Sequence, residues 1–85
     1  MSREEIEEFC QEYGPEDTVL LDGYDEAFVG LTSDDGPTRA VYSMDRIIKV
    51  LEREMSNEDA WEYFAFNVES AHMGERTPTF IRTAT

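Results

Sequence analysis

Cys10 is the only cysteine and His72 the only histidine of this 85-residue chain, so any thiol nucleophile with an imidazole base would have to be built from those two. Each falls on or beside an apolar helical stripe, and no third group is placed to orient the imidazole. They read as a core cysteine and a histidine at a helix C-terminus, where a partial positive charge is favourable. Carboxylates offer a second chemistry. The strings DGYDE (residues 22–26) and SDDGP (33–37) set acids beside glycines, as calcium sites do. Neither has the alternating acid order of an EF-hand loop. One cysteine also excludes an intramolecular disulfide and a cysteine-based zinc centre, and there is no glycine-rich phosphate loop. The expectation is a protein without catalysis, metal or cofactor.

The remaining chemistry is electrostatic. Twenty acids against seven bases leave a formal net charge of −13. Twelve of those acids lie in residues 1–38 with Arg3 as the sole base, whereas residues 39–85 hold eight acids and six bases. Salt adaptation or plain solubility also favours acids, and the single lysine, Lys49, fits it. Salt adaptation spreads its acids, however, and these are segregated. A negative field concentrated in one half repels nucleic acid and attracts basic protein surfaces. Arg46, Lys49 and Arg53 share a helix face, but the overall field opposes direct nucleic-acid binding. The candidate contact residues are therefore Glu4, Glu5, Glu8, Glu12, Glu16, Asp17, Asp22, Asp25, Glu26, Asp34 and Asp35.

The elements that must position these acids follow from period and caps. Ser2 and Glu5 form a capping box for a helix over about 2–13, with Ile6, Phe9, Cys10 and Tyr13 as its apolar stripe and Gly14-Pro15 as its stop. Residues 18–21 are a short apolar segment, strand or extended, and Asp22-Gly23 marks a turn. Two β-rich runs, 27–32 and 38–43, form a hairpin across SDDGP, with Phe28 or Val29, and Val41, pointing inward. Ser43 caps a second helix over about 44–55, buried through Met44, Ile47, Ile48, Leu51 and Met55. Ser56 or Asn57 caps a third over about 57–72, ending at Gly74. Thr79 to Arg82 suits an edge strand.

At about 100° per residue, Ala60, Trp61, Tyr63, Phe64, Ala65, Val68 and Ala71 share one broad apolar sector. This predicts a central helix packed on both sides. Phe66 alone falls among the polar residues, either under the C-terminal tail or exposed as an apolar interface. Asn67, at the sector's edge, should bond a backbone group of the loop or tail. The fold class expected is α+β, one domain over 1–85, with a small antiparallel sheet against three helices. No run approaches the ~20 apolar residues of a membrane span, and Met-Ser-Arg-Glu-Glu does not suit a signal peptide.

LLDGYDEAFVG (20–30) and AVYSMDRIIKVLEREMSNEDAWEYFAFNVESAHMGERTPTF (40–80) resemble a family of small proteins encoded by bacteriophages and prophages. The shared order is Leu-Asp-Gly-aromatic-Asp, a strand near Ala-Val-Tyr, a helix, Glu-aromatic-Phe-x-Phe-Asn, then Gly-Glu-x-Thr-Pro. The resemblance covers residues 19–81, roughly three quarters of the chain. It implies no enzyme activity. By analogy with small acidic phage proteins, it implies an inhibitor of host defence, of anti-CRISPR type, that imitates nucleic acid. Its partner would be a basic, nucleic-acid-binding host protein, such as a CRISPR–Cas effector subunit, in the host cytoplasm. The inhibitor would be a monomer or homodimer. The rival expectation is a structural or regulatory phage protein that works through apolar contacts around Phe66, with charge serving solubility.

Overall fold

The computed structural model describes residues 1–33, 36–69 and 74–84. Helix α1 (Arg3–Tyr13) begins at the capping box: Ser2 Oγ accepts the Glu5 N–H at 3.2 Å, and Glu5 Oε1 accepts the Ser2 N–H at 2.9 Å. Its end passes close to the sheet. A Cβ on Gly14 would lie 3.0 Å from Leu31 Cδ1 and 3.1 Å from the Cys10 carbonyl oxygen, so any larger residue there would force its neighbours to give by a few tenths of an ångström. After an extended stretch and a turn at Gly23 with φ of +89°, a 3-10 turn (Asp25–Ala27) leads into β1 (Phe28–Leu31). Strand β2 (Ala40–Ser43) runs directly into α2 (Met44–Leu51). Then come α3 (Asn57–Tyr63), a π-helical segment (Phe64–Glu69) and β3 (Thr79–Ile81).

Three helices on a three-stranded sheet make the α+β architecture that the sequence predicts. The sheet differs in one respect: β1 and β2 are antiparallel, but β3 joins β2 in parallel, so the sheet is mixed. The chain crosses through α2 and α3 before β3, and a connection of that length permits a parallel neighbour. Val41 does not point inward. Phe28 pairs with Tyr42 and Gly30 with Val41 across a bulge at Val29. Cross-strand partners share a face, so buried Phe28 places Tyr42 in the core and turns Val41 outward.

An aromatic chain crosses the whole fold. Phe9 meets Phe28 at 6.0 Å, Phe28 meets Tyr42 at 5.6 Å, Tyr42 meets Phe80 at 6.4 Å, and Phe80 meets Phe64 at 5.1 Å. Phe64 then meets Trp61 at 6.1 Å. Most of these contacts are edge-to-face, the arrangement that the ring quadrupole favours. Around them pack Ile6, Cys10, Leu21, Ile47, Ile48 and Leu51. Tyr13, expected on the buried stripe, is 66% exposed and only leans on Phe9.

Helix α3 is not central. Only Ala60, Phe64 and Val68 are fully buried, with Trp61 partly so; Tyr63 and Ala65 are exposed. One narrow stripe suffices because the core lies on one side only. Helix α2 ends at Leu51 rather than at 55, tapering through Arg53 N–H to Val50 O and Glu54 N–H to Leu51 O. The third helix changes to π geometry at Phe64. In an α-helix the Tyr63 carbonyl would take the Asn67 backbone N–H. Here it accepts the Asn67 side-chain amide at 3.2 Å, so Asn67 bonds its own helix rather than the loop or tail.

Candidate protein-binding surface

Burial of Ile6 and Cys10 fixes how α1 is rotated. Glu4, Glu8 and Glu12, spaced i, i+4 and i+8, therefore form one exposed row on the far side. Glu5 and Glu7 flank it. At 1.5 Å rise per residue, these five carboxylates occupy about 12 Å of axis, roughly one charge per 2–3 Å. Duplex DNA carries one per ~1.7 Å, or one per ~3.4 Å on each strand. Among the described residues, Glu4, Glu8, Glu12 and Glu16 make no ion pair.

Arg3 gathers further acids to the start of α1. Its guanidinium donates to the Leu21 carbonyl at 3.0 Å and to Asp25 at 3.3 Å, and it pairs with Glu7 and Asp22 at 3.5 Å each. Partial burial works to lower the Arg3 pKa; the Asp25 hydrogen bond and charge, with Glu7 and Asp22, outweigh it and hold the group firmly cationic. One guanidinium thus draws the turn at 21–25 against α1. Glu4, Glu5, Glu7, Glu8, Glu12, Glu16, Asp22 and Asp25 then face a single base, a local balance of −7. Glu5 is held below the usual carboxylate range by the Ser2 backbone N–H and hydroxyl.

The other acids divide differently. Glu26 forms a two-pronged pair with Arg53 at 2.6 and 3.1 Å, which lowers its pKa. Asp17 takes Arg76 at 2.9 Å, and Arg76 also donates to the Thr38 carbonyl at 3.1 Å. Both acids are neutralised by bases from the second half of the chain. Asp34 and Asp35 lie outside the described residues, as does His72. No group of three His, Cys, Asp or Glu among the described residues could hold a metal ion; around Asp22 and Asp25 a guanidinium fills the cation's role. Cys10 is buried, and burial pushes its thiol pKa up, the reverse of an activated nucleophile. Just after α2, Arg53 is committed to Glu26, leaving Arg46 and Lys49 on the helix as exposed bases without an ion pair among the described residues.

A groove of about 610 Å³ runs beside α1, lined among others by Arg3, Glu7, Cys10, Gln11, Glu16 and Leu20. The sequence reading did not single out Arg3 as the organiser of the surface. Its signal was present: one base among twelve acids is the only local cation that can hold them together. Glu7 was likewise omitted from the candidate surface, because its role depends on Arg3. Phe66 is 73% exposed, which settles its placement.

Several positions of the quoted motifs serve the scaffold, although Glu62, Tyr63 and Phe66 are exposed. Leu21 is gripped at both backbone groups, its N–H by Tyr42 Oη at 3.0 Å and its carbonyl by Arg3. Gly74 adopts φ of +90°, its carbonyl accepts the Thr77 hydroxyl at 2.7 Å, and Pro78 is buried. No family model, curated protein or solved structure matches the chain. No helix among the described residues is long and apolar enough to cross a membrane.

Proposed function

We propose that this chain is a non-catalytic, phage-encoded inhibitor that acts in the host cytoplasm on a basic, nucleic-acid-binding host protein, such as a CRISPR–Cas effector subunit. Helix α1 and its flanks take the place of a nucleic-acid backbone. One observation carries the reading: among the described residues, eight carboxylates share the neighbourhood of α1 with a single base, and the row Glu4, Glu8 and Glu12 makes no ion pair. That row opposes its own helix, since like charges at i, i+4 destabilise it by a few tenths of a kcal/mol per pair. The axial charge density falls between that of one DNA strand and the duplex. The groove between α1 and residues 14–20 gives a side chain of the partner a place beside the row. Asp17 and Glu26 contribute little, because Arg76 and Arg53 cancel them.

The test is capture from host lysate with the intact chain at low and high salt, beside the double variant Glu8→Lys/Glu12→Lys. The expected captive is a nucleic-acid-binding protein that duplex DNA displaces, that salt releases steeply, and that the double variant fails to hold. Capture that is insensitive to salt, or unaffected by charge reversal on α1, refutes the imitation.

A further inference from the structure

Helix α3 and the π-helical segment carry a second exposed face, unlike the first in one respect: it combines carboxylates with aromatic rings. Glu58, Glu62 and Phe66 lie at i, i+4 and i+8 down the side away from Ala60, Phe64 and Val68; Asp59 and Tyr63 stand beside them. Phe66 is 73% exposed and Tyr63 42%. From residue 54 to residue 75 the chain has no lysine or arginine, and none of these acids makes an ion pair among the described residues. We propose that this face docks an arginine-bearing segment of a partner protein, each guanidinium lying on an aromatic ring while a neighbouring carboxylate takes its N–H groups.

Charge complementarity selects that occupant. A second copy would bring its own net charge of −13, whereas a cationic segment meets Glu58, Asp59 and Glu62 on the same exposed face as Phe66. Ring faces select arginine over lysine, because the planar, weakly hydrated guanidinium stacks on them while keeping its edge for a carboxylate. The chain already contains this arrangement once. The Arg82 guanidinium sits 5.3 Å from the Trp61 ring centre, with Asp45 at 3.2 Å, and Asp45 in turn accepts the Thr83 N–H at 3.0 Å. The π geometry supports a functional surface too, since widened helical turns recur at such sites. The proposal stands apart from the α1 surface and needs none of its residues.

The experiment titrates the full isotope-labelled chain with a short oligo-arginine peptide and an oligo-lysine peptide of equal length, followed by amide NMR shifts. The arginine peptide should bind about five-fold more tightly and shift the amides of residues 58–66. Phe66→Leu keeps the apolar bulk but removes the ring, and should bring the two affinities together. Glu8→Lys/Glu12→Lys should weaken both peptides alike and preserve their ratio. Equal affinities in the wild type, a ratio indifferent to Phe66→Leu, or a ratio lost in the α1 variant overturns the proposal. So does a wild-type dimer that Phe66→Ala converts to monomer, which would make a second copy the occupant.

Discussion

Replacing Arg3 with Gln should show whether one guanidinium organises the acidic surface. Three contributions are lost. The bond to the Leu21 carbonyl, at 3.0 Å, comes from a charged donor, worth about 1.5–3 kcal/mol; the side chain is 38% exposed, so solvent screening places it near the lower figure. The pairs with Glu7, Asp22 and Asp25 add about 0.2–1 kcal/mol between them, as exposed pairs do. Relief of mutual repulsion among Glu4, Glu5, Glu7, Glu8, Asp22 and Asp25 is the third, and it is the part that salt can restore. The expected loss is about 2 kcal/mol, a midpoint lower by roughly 10 °C in a domain of this size. Urea unfolding followed by circular dichroism measures it, in dilute buffer and in 1 M salt. At ~0.1 M the screening length is about 10 Å and at 1 M about 3 Å, so the gap between variant and wild type should narrow as salt rises. A loss under about 0.5 kcal/mol, or a gap that widens with salt, would refute the idea that Arg3 binds the turn to α1 against acid repulsion.

Tyr42→Phe keeps the aromatic chain but strands the buried Leu21 N–H; it should cost about 1–3 kcal/mol, with faster hydrogen exchange at Leu21 and, unlike Arg3→Gln, no rescue by salt. A slow Leu21 amide in the variant would disprove the bond's importance. Burial pushes up both the Cys10 thiol and the Tyr42 phenol, so the folded state holds their protons after the unfolded chain has released its own. Their stabilisation is complete below the unfolded values, about 8.5 for cysteine and 10 for tyrosine, and is lost as pH rises through the folded ones. Cys10→Ala should flatten the part of the decline that begins near pH 8.5 and leave the tyrosine part that begins near 10, measured by urea midpoints across that range; superimposable curves would contradict it.

What the sequence determined by itself was local. Caps at Ser2 and Ser43 were legible, and the third was narrowed to Ser56 or Asn57, because a hydroxyl three residues ahead of a free N–H is a matter of spacing; the bonds form at Ser2, Ser43 and Ser56. The stripe of α2 and the hairpin were legible for the same reason: their periods are intrinsic to helix and strand. Tertiary structure decided what depends on distant partners. A one-residue bulge at Val29 reversed the expected face of Val41, since side-chain parity in a strand is settled by register rather than by composition. The aromatics of residues 61–66 were divided by which surface could reach Phe80 and Tyr42; a helical wheel knows its own angles and not the single side on which the core lies. Charge was divided likewise. Counting showed where the acids cluster along the chain. Only folding brought Arg76 to Asp17 and Arg53 to Glu26 while leaving Glu4, Glu8 and Glu12 exposed without an ion pair among the described residues, because ion pairs form between neighbours in space, and those arginines lie on segments remote in sequence.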